Sequence, residues 1–283
     1  MSYNQGTQTR QKQKDKIISE VWSTMSYDIR GYTPESYKGV LSAFYIESDL
    51  GASGKSTGRY RGLAQVGPNI DEEYKNIFPE LQYRYSDPNR YYNFINDPGK
   101  VSQVYHYVTS EYMESNNWKQ YEVLERGMEL GFDPEFMRYL SWQQGKTGAA
   151  DIITSISYKN PYSKVQSNRM PGDANYTGNI DAHTFYNLVH QLDSASRKAF
   201  LPYLNRSKKS IDYNLIAGGK NSAAYESLQA NLLSNYINIT QKKWKEASAK
   251  SEIAYNDYMN NKPVDRMMNQ FTSEDTMVSN KTY

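Results

Sequence analysis

Thr33-Pro34-Glu35-Ser36-Tyr37-Lys38-Gly39-Val40-Leu41-Ser42-Ala43-Phe44-Tyr45-Ile46-Glu47-Ser48 spells out a helix start and a buried face in one run. Thr33 is a side chain that caps, Pro34 suits the first helical position, and Glu35 complements the positive end of the helix dipole. Tyr37, Val40, Leu41, Phe44 and Ser48 then recur at spacings of three and four, which makes one apolar stripe. At about 100° per residue, Glu47 falls on the edge of that stripe near the helix C-terminus. Burial and the negative end of a helix dipole both disfavour its ionised form. A carboxyl lifted to roughly pKa 6 to 7 donates a proton at neutral pH, as protonation of a glycosidic oxygen requires.

Working outward, a helical pattern precedes this run through Ile17, Ile18, Val21, Trp22 and Met25 and is expected to end near Gly31. Residues 1–16 are polar, glutamine-rich and without periodicity, and read as a flexible arm. After Glu47 the segment from Gly51 to Gly62 reads as a loop. Short helices are expected over residues 63–100, and helical periodicity returns in Val101 to Gly127 and in Pro134 to Ser155. A polar connection, Lys159 to Gly178, leads to a helix near Ala182 to Leu192. Beyond Leu204 the composition shifts, and a long helix runs from about Ser222 to Met259 with Tyr225, Leu228, Leu232, Tyr236 and Ile239 on one face.

The chain has 283 residues, enough for one substantial core with extensions. Aromatics make up 14%, largely as 27 tyrosines whose hydroxyls need partners, and the mean hydropathy is -0.85. With 33 basic and 31 acidic side chains the net charge is only +2, so no global field favours nucleic acid as a partner. No stretch approaches the length of a membrane span, and the N-terminus has no apolar core of a secretory signal. Cysteine is absent, which excludes disulfides and thiolate chemistry and fits synthesis in a reducing cytoplasm.

Fifteen positions after Glu47 comes Gly62-Leu63-Ala64-Gln65-Val66-Gly67. Glu47-Ser48 with Gly62-Leu63-Ala64-Gln65 resembles the signature of lytic transglycosylases with the lysozyme-like fold. In that family a Glu-Ser pair ends a helix and Gly-Leu-Met-Gln follows after a loop. Ala64 departs from the usual methionine, and Ser56 stands where the family's loop commonly has serine. Ser141-Trp142-Gln143-Gln144-Gly145, with Gly148-Ala149 soon after, is similar to a second family segment, in the version carried by virion-associated phage members. A Trp-Gln pair suits a sugar site, because indole stacks on pyranose faces while a carboxamide both donates and accepts hydrogen bonds. The resemblance covers about residues 35–190.

The resemblance implies a mainly α, lysozyme-like catalytic domain over residues 17–204, with the arm at 1–16 before it and a helical extension with a mobile tail at 205–283. It implies Glu47 as the single acid/base, with Ser48, Gln65 and Gln143 positioning sugar and carboxyl and Trp142 as an apolar wall. The substrate would be peptidoglycan glycan strands and the product a 1,6-anhydromuramic end, with neither metal nor organic cofactor. Many members carry a late tyrosine that contacts the catalytic carboxyl. Tyr186 is the candidate, although it lies one position closer to Thr184 than the pattern asks. The composition and the arm suit a phage virion protein that opens the wall during genome entry, and the stripe of the C-terminal helix needs a partner surface: the catalytic domain itself, another copy or a neighbouring virion protein.

Two rival readings stay open. A hydrolytic muramidase of the same fold needs a second carboxyl, for which Asp49 or Asp71 is available, because glycosidases normally place two carboxyls across the scissile bond. A structural virion protein with an inactive domain of this fold needs no chemistry at all. Other signals carry less. Gly54-Lys55-Ser56 looks like a phosphate-binding loop, but the glycine required five positions earlier is Asp49. His106, His183 and His190 show no metal-ligand spacing and read as ordinary histidines. Asp71, Glu72 and Glu73 read as a solvated helix start.

Overall fold

A computed structural model describes residues 2–28, 33–51, 59–157, 179–181, 194, 210–212 and 223–260. Over these residues the chain is mainly helical: α1 (Ser2–Asp28), α2 (Pro34–Ser48), α3 (Pro68–Tyr74), a 3-10 helix (Pro79–Arg84), α4 (Pro88–Ile95), α5 (Pro98–Met113), α6 (Asn116–Gln120), α7 (Val123–Glu129), α8 (Pro134–Ser157) and α9 (Ala223–Asn260). The strands among them are β1 (Asn179–Asp181) and β2 (Ser210–Asp212), paired antiparallel with Ile180 opposite Ile211. None of the described helices is long and apolar enough to cross a membrane.

The chain forms two compact units, Met1–Gln103 with Glu246–Tyr283, and Val104–Lys245. These units cut across the boundary expected at Leu204. Packing explains the correction. Thr240 and Trp244 of α9 are buried in the second unit, and Ala247 and Ser251 of the same helix in the first. The C-terminal helix therefore completes the chain's own cores.

In the first unit, α1 contributes Ile17, Ile18, Val21, Trp22 and Met25, all buried and spaced by one helical turn. The helix does not wait for this face to begin. It starts at Ser2, so the described part of the arm expected at 1–16, residues 2–16, is helical. Its Gln, Lys and Arg residues are good helix formers, and the packed turns after Lys16 supply the nucleus that an isolated peptide lacks. α2 starts as its sequence dictates: Thr33 Oγ1 accepts the Ser36 N–H at 3.2 Å, and Pro34 opens the helix. Tyr37, Val40, Leu41 and Phe44 are fully buried. Tyr37 donates its hydroxyl to the Ile18 carbonyl at 3.1 Å and meets Trp22 edge-on with centroids 5.1 Å apart. The end of α9 closes over this pair. Ser42 and Ser251 share a hydrogen bond of 3.0 Å, Lys38 reaches Glu252 at 2.7 Å, and Tyr255 lies against both Trp22 and Tyr37.

The second unit is organised on α8. Asp133 caps its start, accepting the Phe136 N–H at 2.7 Å, while its other oxygen accepts Trp244 Nε1–H at 3.1 Å. Trp244 stacks on Tyr139 at 5.4 Å and packs near Phe136. Gly127 lets α7 approach α8 closely, since a Cβ there would overlap the Met137 sulfur. The helical pattern expected from Val101 to Gly127 is three helices, with breaks after Met113 and Gln120. The segments expected as a connection at Lys159 to Gly178 and a helix at Ala182 to Leu192 lie outside the described residues.

Candidate active site

Both halves of the first motif lie in the first unit, in left-handed backbone. α2 ends at Ser48 and is followed by Asp49, Leu50 and Gly51 with φ of 49°, 52° and 76°. Two of these are not glycine, and each such residue costs about 1 to 2 kcal/mol. Compensation is visible. The Asp49 N–H bonds to the carbonyls of Phe44 and Tyr45, the Leu50 N–H bonds to Phe44 O at 3.2 Å, and the Leu50 side chain is fully buried. Burying a leucine is worth about 1.5 to 3 kcal/mol, enough to hold the reversal. Glu47, half-buried, is thus fixed on the last turn of a helix whose end cannot fray freely.

Ser48 is 4% exposed. Its Oγ donates to Phe44 O at 3.2 Å and accepts the Gly51 N–H at 3.0 Å. Ser48 thereby ties off the helix end directly after Glu47.

The second half is a tight hairpin. Arg61 and Val66 exchange both backbone hydrogen bonds, at 3.2 and 2.7 Å, around a turn of Gly62 to Gln65. Gly62 has φ 77°, and a Cβ there would overlap the carbonyl oxygen of Ile95, so both conformation and space require glycine. Gln65 has φ 50° and donates Nε2–H to Gly62 O at 2.9 Å, which orients its carboxamide within the turn. Leu63 brings the hairpin to the helix end, its Cδ2 lying 3.2 Å from where a Gly51 Cβ would stand. Leu63 thus links the hairpin that carries Gln65 to the turn that follows Glu47 and Ser48.

Neither proposed second carboxylate is idle. Asp71 is buried and paired with Arg84, and it also accepts the Tyr91 hydroxyl at 3.0 Å. Arg84 spends its other donors on Arg59 O at 3.0 Å and Val66 O at 2.8 Å, which pins the hairpin to α3 and the 3-10 helix. Burial pushes the Asp71 carboxyl up, against the downward pull of Arg84 and Tyr91. The reading of Asp71 as part of a solvated helix start is thereby corrected; it is the buried anion of a structural network. Nothing in residue type or spacing distinguished it from exposed Glu72 and Glu73. Asp49 pairs with Lys14 at 2.9 Å.

Trp142 and Gln143 belong to the second unit, on the first half of α8. The helix breaks immediately afterwards at Gly145, whose φ of 71° and ψ of 166° only glycine adopts readily. Trp118 braces the break by donating Nε1–H to Lys146 O at 2.9 Å. Trp142 is half-buried with its ring 5.2 Å from Tyr105, and Gln143 is exposed. Gln143 accepts the Tyr236 hydroxyl at 2.5 Å, and Gln144 donates to the same hydroxyl at 2.7 Å. No sequence pattern pointed to Tyr236 as a partner of this segment, because 92 residues separate it from Gln144. Tyr186, His183, His190 and Ser56 lie outside the described residues.

His106 is a half-buried histidine of α5 whose pKa is lowered to about 4, by burial first and by Arg138 second. Among the described residues no three His, Asp or Glu side chains gather as a metal site. A groove of about 520 Å³ in the first unit is lined by Gln11, Asp15, Tyr45, Lys250 and Tyr258 among others; Glu47 is not part of its wall. No family model, curated protein or solved structure matches the chain.

Proposed function

We propose that the protein is a peptidoglycan lytic transglycosylase, with Glu47 as its only acid/base. The observation that carries this reading is the joining of the two motif halves: the rigid turn bearing Gln65 is packed through Leu63 onto the reversal that follows Glu47. A fixed carboxyl and an oriented carboxamide are what single-residue proton transfer to a glycosidic oxygen needs, because reaction depends on holding donor and acceptor within hydrogen-bond reach.

Glu47 donates its proton to the oxygen between N-acetylmuramic acid and N-acetylglucosamine, and the bond from C1 of the muramic sugar to that oxygen breaks. The resulting carboxylate takes the proton of the C6 hydroxyl as its oxygen bonds to C1, which leaves a 1,6-anhydro end and restores the acid. Gln65 holds the sugar, and within the second unit Trp142 and Gln143 offer the glycan an apolar face and a carboxamide. Pairing of Asp49 with Lys14 and of Asp71 with Arg84 supports the one-carboxyl route over a hydrolytic muramidase. In this reading the enzyme is a phage virion component acting on the cell wall.

Mass analysis of fragments released from purified peptidoglycan tests it. Anhydro-ended fragments are expected; reducing ends would make the enzyme a muramidase, and no release would leave a structural virion protein.

A further inference from the structure

We infer that Tyr236 is a positioning residue for sugar binding, holding the carboxamides of Gln143 and Gln144 in one orientation. This rests on the transglycosylase reading and extends it to a residue of α9. The hydroxyl of Tyr236 is the centre of a short relay: it accepts Gln144 Nε2–H at 2.7 Å and donates to Gln143 Oε1 at 2.5 Å. A hydroxyl has one proton to give, so it holds the two amides in opposite senses, here with the Gln143 oxygen and the Gln144 nitrogen turned towards it. Bonds in such a chain also polarise one another.

The consequence for Gln143 is specific. Its oxygen is occupied by Tyr236 and one N–H leans on the Tyr139 hydroxyl at 3.4 Å. The residue is nevertheless exposed, while Tyr236 is only 8% exposed. Gln143 therefore presents a donor outward from a fixed base, suited to an acceptor on the glycan such as a hydroxyl or an N-acetyl carbonyl oxygen. Without Tyr236 the amide would rotate and offer either edge, and binding would have to select the right one. Tyr236 is itself buried, with Ile237 and Thr240 also buried on the same helix.

The Gly145 break strengthens the case. Gln143 and Gln144 are the last residues before the helix departs from its path, and nothing lies within 4 Å of an added Cβ at Gly145. At this break the Tyr236 hydroxyl ties the two amides to one point on α9.

The test compares wild type, Tyr236→Phe, Gln143→Ala and the double variant on soluble glycan chains from purified peptidoglycan, with melting measured alongside. Loss of one neutral hydrogen-bonding hydroxyl is expected to cost about three- to tenfold in kcat/KM. The loss should fall mainly on KM, leave the melting midpoint near wild type, and vanish in the Gln143→Ala background. Where phenylalanine lowers the midpoint, Gln144→Met removes the donor to the hydroxyl without touching the buried ring, and it must raise KM likewise. A Tyr236→Phe enzyme equal to or faster than wild type, or a loss that persists fully without Gln143, overturns the inference and leaves the transglycosylase reading standing. No fragment release by wild type itself overturns that reading, and the role of Tyr236 falls with it.

Discussion

Glu47 and Asp71 are both acidic residues near helix ends of the first unit, and their surroundings divide their roles. Glu47 is half-buried at the close of α2 with Ser48 and the left-handed reversal behind it. Glu47→Gln keeps volume and removes the proton, so wall cleavage should fall by about 10² to 10⁴ with melting unchanged; a folded variant of near wild-type activity would sink the mechanism. Asp71 is held by Arg84 and Tyr91. Asp71→Asn leaves the Arg84 guanidinium buried without its anion, a change that costs about 3 to 5 kcal/mol. The folded fraction should still cleave peptidoglycan when assayed well below its melting point, and an inactive but folded Asp71→Asn protein would favour the muramidase. His106 sets a pH dependence of stability. Its folded pKa of about 4 lies below the ordinary 6.5, so between those values the unfolded chain takes up a proton that the folded one refuses. Stability is full above pH 6.5 and is lost as pH falls towards 4. Replacing His106 with glutamine should flatten that slope in melting curves recorded across the window.

At the scale of elements, what was legible in the sequence was what is written locally. α2 shows its cap, its proline, its stripe and its terminal glutamate within one run, and the structure follows each of them. α9 was legible in extent, and of its expected face Tyr236 is buried as read while Ile239 is not. From Tyr236 onward the buried positions are Ile237, Thr240, Trp244, Ala247 and Ser251, whereas Ile239, expected inside, is 46% exposed. A hydroxyl or a methyl buried at a close crossing does not register as apolar periodicity, so small buried residues hid the true face. Leu50 falls between the expected helix and the loop read from Gly51 and carried no signal, yet it is fully buried and anchors the turn behind the candidate carboxyl. The Gly145 break was also unmarked, because glycine within a helical pattern is tolerated as often as it bends one. Gly145→Ala tests whether the break matters. Space is open there, so any cost comes from forcing alanine into a glycine-only conformation, about 1 to 3 kcal/mol. Melting should fall by that amount, and KM for glycan should rise as Gln143 and Gln144 lose their geometry. An alanine variant matching wild type in both would show that the break is incidental to function.

Across the whole molecule, the division at Lys245 and Glu246 shows why chain order is a poor guide to which residues form a unit. A composition shift after Leu204 suggested an appendage for assembly, a reasonable inference when contacts are invisible. Instead α9 supplies Tyr236, Ile237 and Trp244 to one core and Ala247, Ser251 and Tyr255 to the other. These are not marginal contacts. Trp244 is 4% exposed, joined to Asp133 and stacked on Tyr139, and removing such an aromatic alone typically costs about 3 to 5 kcal/mol. Total stabilities of natural domains are about 5 to 15 kcal/mol, so losing the whole helix exceeds what either unit is expected to survive. A chain ending at Leu204 should therefore lose cooperative melting and release no glycan fragments, even though it retains Glu47, Gln65, Trp142 and Gln143. Adding residues 223–260 as a separate peptide should restore part of the melting transition if packing is what the helix supplies. Cooperative melting and full cleavage by the truncated chain would show that both units hold without α9, and would return the helix to a role in assembly.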